Sequence, residues 1–301
     1  FDHGQSVCTP VPDKEFCMAM NDVGNIQWFP GHMTKTKRLI EADLKMVDAV
    51  VEITDARIPE SSRNPILDDL VKDKPRIILM NKCDYADENA TRLWKQYYEK
   101  RGIRVLTCDC RSGKGLNRFL PEVKTMLADL IERRKKRGMI GKALRLMVVG
   151  IPNVGKSSFI NRMAKTKKTK VGDKPGVTRG KQWVSIDKDV ELLDMPGILW
   201  PKFDDQTAAQ RLAFAGAIKD DVMDTEALAR ALGEVLREKY PELLNARYKL
   251  SGEPDILTDI AKARGMLVSG GVPDTERAAA TFLDEYRGGR IGRITLELPA
   301  K

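Results

Sequence analysis

The chain has 301 residues, of which 42% are hydrophobic and 32% are charged, and its net charge is +9. This length allows one domain of ordinary size and a smaller second domain, each with a buried core. No stretch approaches the roughly 20 consecutive apolar residues of a membrane-spanning helix, and the five cysteines form no C-x-x-C pair, so we expect neither a membrane span nor a zinc site, and a reducing, cytoplasmic location.

The first 25 residues do not continue the pattern of the rest of the chain. They begin with Phe1, contain one Lys and no Arg, and lack an apolar core, so they resemble neither a secretory signal nor a transit peptide. We expect residues 1–25 to be a disordered leader or a remnant of expression.

From residue 26 to residue 200, short apolar runs alternate with helical patterns. Strands are predicted at residues 47–53, 77–80, 103–107 and 144–149, and a hairpin at 184–186 and 190–193. Helices are predicted at residues 89–100 and 116–137. This alternation predicts an α/β fold with a doubly wound, mainly parallel sheet.

A candidate base-reading loop follows the second predicted strand. Asn81-Lys82-Cys83-Asp84 matches N-K-x-D. The Asp84 carboxylate can accept hydrogen bonds from guanine N1–H and its amine, whereas adenine lacks the amine, and such a mismatch can discriminate by about 10⁴. Asn81 can brace the loop, and the stem of Lys82 can lie over the base. Alone, the pattern also suits an ordinary charged turn after a strand.

A candidate phosphate loop follows the fourth predicted strand. Residues 150–157 read G-I-P-N-V-G-K-S, and a helix is predicted to begin near Ser158. Its glycines let backbone N–H groups surround a phosphate, Lys156 can neutralise the β- and γ-phosphates, and the Ser157 hydroxyl can ligate Mg²⁺. The order strand, loop, helix argues against a chance glycine turn. We predict nucleotide contacts from Val154, Gly155, Lys156, Ser157 and Ser158.

Two further segments complete this predicted site. Asp194-Met195-Pro196-Gly197 ends a strand with a D-x-x-G pattern. We expect Asp194 to reach Mg²⁺ through water and the Gly197 N–H to lie near the γ-phosphate, although an ordinary turn has the same residue types. Thr178 lies between the phosphate loop and this turn, where a γ-phosphate switch belongs, and we select it as a nucleotide and Mg²⁺ ligand.

After residue 200 the pattern changes to amphipathic helices, predicted at residues 207–218, 225–239, 241–248, 254–264 and 275–286. We therefore predict a small all-α domain at residues 201–291 and a tail at 292–301.

The net charge is unevenly distributed between these two domains. Residues 26–200 contain 36 Lys and Arg against 22 Asp and Glu, whereas residues 201–291 contain 13 against 16. The basic surplus suggests a polyanion such as RNA. The runs at 133–137 and 165–170 could contact phosphates or form solvated helix ends.

The motifs resemble those of Ras-like GTPases in a circularly permuted order, with the base-reading loop before the phosphate loop. More narrowly, five segments closely resemble the ribosome biogenesis GTPase A family, also called YlqF. They are Trp28-Phe-Pro-Gly-His-Met33, Asp55-Ala-Arg-Ile-Pro59, Ser62-Arg-Asn-Pro65, residues 150–157 and residues 193–203. The similarity runs from about Ile26 to the C-terminus.

This resemblance implies a circularly permuted GTPase domain at residues 26–200, followed by a helical RNA-binding domain. It implies that Mg²⁺-dependent hydrolysis of GTP to GDP, stimulated by the ribosomal subunit, serves late maturation of the large ribosomal subunit through contact with its precursor rRNA. A nucleotide-gated RNA-binding scaffold or sensor, with incidental hydrolysis, stays open as the alternative.

The resemblance also implies roles for residues that the motifs alone do not assign. Asp109 and Cys110 occupy the place of a second base-contacting loop, where a backbone N–H could reach guanine O6. Asn153 matches the asparagine of GTPases that use K⁺, although asparagine also stabilises turns. Ile198 follows Gly197 and cannot orient water, and His32 matches a histidine proposed for that role. Contact with RNA or packing beside Trp28 is the alternative for His32.

Overall fold

The computed structural model describes residues 33–71, 74–139, 141–166, 182–197, 199, 205–220 and 223–300. Its centre is a six-stranded sheet in the order β3-β2-β1-β4-β6-β5. All neighbouring strands are parallel except β5, which is antiparallel to β6. The strands are β1 (Ala49–Asp55), β2 (Arg76–Asn81), β3 (Arg104–Thr107), β4 (Leu144–Val149), β5 (Gln182–Asp187) and β6 (Val190–Asp194).

The sheet is covered by helices on both faces, which explains its nearly continuous apolar strands. One face is covered by α1 (Met33–Leu44), α2 (Pro65–Val71) and α3 (Glu88–Lys100), and the other by α4 (Phe119–Met126), α5 (Ala128–Lys136) and α6 (Lys156–Thr166). Val50 packs with the first group and Val51 with the second. The doubly wound fold predicted from the sequence is therefore confirmed.

The topology places a crevice at the carboxyl ends of β1 and β4. These two strands are adjacent and parallel. From them the chain winds outward through β2 and β3 on one side and through β6 on the other. Ligands of doubly wound folds bind at such a switch point.

Two local features differ from the sequence prediction. The helix predicted for residues 116–137 is divided into a 3₁₀ turn (Leu116–Arg118), α4 and α5, because the chain bends at Leu127, which is only 3% exposed. The short helix α2 was not predicted. It has Pro65 at its first position, where a missing N–H costs no helical hydrogen bond.

The second domain consists of α7 (Gln206–Phe214), α8 (Thr225–Lys239), α9 (Pro241–Tyr248), α10 (Ile256–Arg264) and α11 (Thr275–Arg287). Four of these helices begin after an aspartate whose carboxylate accepts a backbone N–H of the first turn: Asp205, Asp224, Asp255 and Asp274. The prediction that α7 extends to residue 218 was wrong. Gly216 adopts a left-handed φ of +74° just past its end.

A C-terminal segment, residues 290–298, returns from the helical domain to the sheet domain. The N–H of Ile294 donates to Tyr85 O (2.9 Å), and the N–H of Leu296 donates to Arg57 O (2.8 Å). The indole N–H of Trp94 donates to Glu297 O (2.9 Å). These bonds hold the two domains together. Among the described residues, no helix is long and apolar enough to cross a membrane.

Candidate functional site

The phosphate loop lies between the end of β4 and the start of α6, as its sequence predicts. The Lys156 ammonium donates to the carbonyl oxygens of Gly150 (3.1 Å) and Ile151 (2.7 Å), which form the start of the same loop. Burial lowers the pKa of Lys156 to about 8, and the nearby Asp194 carboxylate partly offsets this shift. The cation is therefore held inside the loop, ready to bind phosphate oxygens.

The D-x-x-G turn after β6 packs directly against this loop. A Cβ atom at Gly197 would lie 2.9 Å from Lys156 Nζ and 2.9 Å from the backbone nitrogen of Pro152. Only glycine allows so close an approach. Ser157 and Ser158 are exposed in the first turn of α6, where helix N–H groups favour anions.

The Asn81 side chain connects three loops of the site. Its Nδ2 donates to Val154 O in the phosphate loop (2.7 Å), and its Oδ1 accepts the N–H of Cys110 (2.9 Å). A Cβ atom at Gly155 would collide with Asn81 Nδ2. The structure therefore brings together the three segments that the sequence predicts to bind the nucleotide: the candidate base-reading loop, the candidate second base-contacting loop and the candidate phosphate loop.

The Asp84 side chain has the properties expected of a base reader. Its Oδ1 atom is buried and has no hydrogen-bond partner among the described residues. Burial and the Asp109 carboxylate raise the pKa of Asp84. A buried acceptor without a donor is unfavourable, and the N1–H or amine of guanine would satisfy it.

The second base-contacting loop is braced by its own side chain. The Asp109 carboxylate accepts the N–H groups of Arg111 (2.8 Å) and Ser112 (3.2 Å). The N–H of Cys110 donates to Asn81, so in this structure it is already engaged. The Sγ atoms of Cys108 and Cys110 lie 3.7 Å apart in the core.

Lys82 is held by a residue whose function the sequence analysis did not identify. It has a left-handed φ of +61°, and its Nζ lies 2.9 Å from Asp55 Oδ2. Asp55 also pairs with Arg57 over 2.7 Å. Asp55 is the last residue of β1 and Arg57 comes just after it, at the carboxyl edge of the sheet where the recognised motifs also lie. That position is the signal that could have identified both residues.

Asn153 has a left-handed φ of +58°, and its side-chain nitrogen donates to Gly216 O in the helical domain (2.7 Å).

Of the other predicted residues, His32, Thr178, Ile198 and the lysines at 167, 168 and 170 lie outside the described residues. Lys165 is described and exposed.

Three comparisons with known proteins all match this chain to ribosome-associated GTPases. A family model described as 50S ribosome-binding GTPase matches residues 145–241. Ribosome biogenesis GTPase A of Bacillus licheniformis is 45% identical over 91% of this chain and 98% of its own length, and the Priestia megaterium protein of that name is 44% identical over 92% and 98%.

Among solved structures, the crystal structure of GNP-bound YlqF from T. maritima matches with a TM-score of 0.63 and 29% identity, covering 89% of this chain and 99% of that one. The matched family model begins at the start of β4, so the loop at residues 81–84 precedes the whole matched region. The base-reading loop thus comes before the phosphate loop, as the predicted circular permutation requires.

Proposed function

The chain belongs to the ribosome biogenesis GTPase A family, and from that membership we propose that it is a GTP-hydrolysing assembly factor of the large ribosomal subunit. It acts in the cytoplasm, late in maturation, and binds precursor rRNA in a nucleotide-dependent way. The proposal that the site binds a guanine nucleotide rests on the Oδ1 atom of Asp84, which is buried and has no hydrogen-bond partner in the part of the chain that the structure describes. This atom lies beside a formed phosphate loop. Asn81 joins these two elements, so one nucleotide can engage both.

In this proposal, each loop of the site contacts a different part of GTP. Asp84 accepts the donors of guanine, Lys82 covers the base, and residues near Asp109 and Cys110 face its opposite edge. The N–H groups of residues 153–158 and the ammonium of Lys156 hold the β- and γ-phosphates. Thr178 and the N–H of Gly197 report the presence of the γ-phosphate.

The residues of this site suit Mg²⁺, which prefers hard oxygen ligands. Ser157 offers a hydroxyl at the start of α6, and Asp194 is 8% exposed at the end of β6, close enough to Lys156 to affect its pKa. When bound, Mg²⁺ neutralises charge on the phosphates.

Asn153 supplies a K⁺ ligand through its side-chain oxygen. The amide nitrogen of the same side chain donates to Gly216 O, so the oxygen is the atom that is left to bind a cation. Faster hydrolysis in K⁺ than in Na⁺ tests that assignment.

His32 orients the attacking water in this proposal. Ile198 takes the position where many related GTPases carry a glutamine, and its hydrocarbon side chain can neither donate nor accept a hydrogen bond. An imidazole can do both. Binding to the ribosome would bring His32 to the γ-phosphate, so hydrolysis would be fast only in the complex.

The basic side of the GTPase domain supports contact with RNA. Helix α5 has no buried residue. Three of its cationic side chains are exposed, Arg133, Lys135 and Lys136, and so is Arg137 just after the helix. Exposed cations of this kind bind phosphates without reading sequence. The helical domain contributes further contacts to rRNA.

Sedimentation with each ribosomal subunit, in GDP and in a non-hydrolysable GTP analogue, tests this proposal. We expect co-sedimentation with large-subunit particles, stronger with the analogue, and turnover stimulated by those particles. A His32→Ala variant should still bind but lose most of this stimulation, on the order of 10²-fold. Equal binding in both nucleotides would contradict nucleotide dependence, and binding without stimulated turnover would favour the scaffold alternative.

A further inference from the structure

A buried carboxylate fixes the side chain that we place over the guanine base. Lys82 is the residue between Asn81 and the variable position of N-K-x-D, and its long side chain has many rotamers when it is free. Here its Nζ lies 2.9 Å from Asp55 Oδ2, a carboxylate only 2% exposed. Fixing the ammonium also fixes the aliphatic stem. The lysine is therefore preorganised before any nucleotide arrives.

Asp55 is itself held by Arg57 in a bidentate pair. Arg57 Nη2 lies 2.7 Å from Asp55 Oδ2, and Arg57 Nε donates to Asp55 Oδ1 over 2.9 Å. Both side chains are almost completely buried. Arg57 and Lys82 hold the pKa of Asp55 far below its usual range, although burial alone would raise it. Breaking such a pair on one side leaves a buried charge without compensation.

The remaining donors of Arg57 reach the helical domain. Arg57 Nη1 donates to the carbonyl oxygens of Tyr286 (3.1 Å) and Arg287 (3.2 Å), which lie in the last turn of α11, where carbonyl groups have no partner four residues further along the helix. A cation there also interacts favourably with the helix dipole. The guanidinium thus connects the carboxylate beside the base-reading loop to one helix end of the second domain.

Further hydrogen bonds link the carboxyl end of α11, through the end of α7, to the phosphate loop. Arg287 donates through Nε to Phe214 O (3.1 Å) and through Nη2 to Ala213 O (3.0 Å) at the end of α7. Two residues further on, Gly216 O accepts the side chain of Asn153. The base-reading loop and the phosphate loop are therefore joined through the ends of α11 and α7, in addition to their direct link through Asn81.

We propose that Asp55 and Arg57 are positioning residues for guanine, which hold Lys82 beside the base and connect its position to the carboxyl end of α11. Nucleotide binding is then coupled to the docking of the helical domain on the GTPase domain. The coupling is reciprocal, because a ligand that favours one arrangement binds that arrangement more tightly. This inference rests on the proposed role of residues 81–84 as the guanine-binding loop.

The first test compares two buried carboxylates of the same strand. Asp55→Asn keeps the shape of the side chain and removes its charge, and we expect GDP to bind at least about tenfold more weakly, as for loss of a charge-assisted hydrogen bond. Glu52→Gln is the control, since Glu52 is 1% exposed and pairs with Arg63 and Arg76 at 3.4 Å, away from Lys82. It should bind GDP within about twofold of the parent protein. Equal losses in both variants would overturn the proposal.

A double-mutant cycle with Lys82→Met shows whether Asp55→Asn weakens GDP binding through the position of Lys82 or through a general disturbance of the fold. Methionine keeps an aliphatic stem but no ammonium, so adding Asp55→Asn to it should cost little further affinity if Asp55 acts through Lys82. Additive losses would contradict that. Lys82→Met leaves the Asp55–Arg57 pair intact and so serves as the test variant if Asp55→Asn fails to fold; unchanged GDP affinity in it would overturn the proposal.

Hydrogen exchange measures the coupling to α11. The N–H groups of Gly288 and Gly289 donate to Asp284 O (2.9 Å) and Tyr286 O (3.1 Å), and we expect GDP to slow their exchange in the parent protein and in Glu52→Gln but not in Lys82→Met. GDP-dependent protection that persists in Lys82→Met would overturn the coupling. If residues 81–84 did not bind guanine at all, Asp84→Asn would leave base selectivity unchanged. That result distinguishes a wrong assignment of the guanine loop from a wrong assignment of Asp55 and Arg57.

Discussion

The Asn81 side chain donates to the carbonyl oxygen of Val154 over 2.7 Å and so ties the proposed base-reading loop, residues 81–84, to the proposed phosphate loop, residues 150–157. The partner residues lie 73 positions apart in the chain. Because Asn81 Oδ1 also accepts the N–H of Cys110, one buried amide fixes three loops that converge at the carboxyl edge of the sheet. Its loss should affect the whole nucleotide site rather than one contact.

Asn81→Ala should weaken GDP and GTP binding alike, by roughly 10- to 100-fold. The substitution leaves the N–H of Cys110 and the carbonyl of Val154 without partners, at about 1 kcal/mol or more for each. Asn89→Ala is the matched control, because Asn89 is exposed and its side chain accepts a hydrogen bond from Arg92 of its own helix. Titration with fluorescent GDP measures both variants. Similar affinities in the two would contradict the bridging role.

Gly155→Ala should abolish nucleotide binding while the sheet domain stays folded. The residue has a φ of +106°, and a Cβ atom would collide with Asn81 Nδ2, so the substitution adds a steric clash to backbone strain. Gly138→Ala carries similar strain at φ +73°, but its Cβ atom would meet no atom of the described residues within 4 Å. It should lose about 1 kcal/mol of stability and retain affinity. Calorimetric titration with GDP, together with thermal unfolding, separates these outcomes.

Asp84→Asn should shift the preference of the site from GTP toward xanthosine triphosphate. The substitution replaces one carboxylate oxygen with an amide donor, and xanthine presents an oxygen where guanine presents its amine. Competition of the two nucleotides against fluorescent GDP in the variant and the parent protein measures the change. If GTP keeps its advantage in the variant, Asp84 does not read the base.

The sequence predicts those parts of the site that consist of contiguous residues. The phosphate loop, the N-K-x-D loop and the aspartate-capped helices each have their signal within about ten positions, because the loop conformation and the caps are local. The bend at Leu127 lacks such a signal. It depends on burial against the rest of the core, which a helical pattern of apolar residues does not specify.

Contacts between distant segments could not be predicted in this way. The N–H of Leu296 donates to Arg57 O, and Arg57 donates to Tyr286 O, but no pattern around residue 57 indicates a partner more than two hundred positions away. The sequence therefore predicts a tail at residues 292–301, although Leu296 is fully buried and Glu297 only 7% exposed. Their charge and polarity are typical of exposed segments until the partners are known.

Nucleotide binding should take up a proton above about pH 8. Lys156 titrates near that pH in the free protein, because its ammonium is buried, and phosphate oxygens favour the charged form and raise its pKa. Binding at higher pH must therefore protonate the lysine, and affinity for GDP should fall as the pH rises, by about tenfold per pH unit at most.

Calorimetry in buffers of different ionisation enthalpy measures this uptake. In a Lys156→Arg variant the guanidinium stays charged, so any uptake that remains belongs to guanine or to other groups and is common to both proteins. If both proteins take up the same number of protons at pH 8.5, Lys156 is not the titrating group.

The carboxylate of Glu297 should contribute strongly to the docking of the two domains. It accepts the N–H of Ser61 over 2.8 Å and the Ser61 hydroxyl over 2.5 Å, and it pairs with Arg211 of the helical domain over 3.0 Å. Glu297→Ala removes all of these contacts and leaves buried donors unpaired, so we expect a loss of about 2–4 kcal/mol in the free energy of unfolding. Urea unfolding measures it.

Leu298→Ala is the neighbouring control, since Leu298 is 66% exposed and should change stability by less than about 0.5 kcal/mol. The Glu297 variant should also make the C-terminal segment accessible to protease under native conditions, because the carboxylate is what joins it to Ser61 and Arg211. Protection equal to that of the parent protein, together with an unchanged urea midpoint, would show that the backbone bonds of Ile294 and Leu296 hold the segment without it.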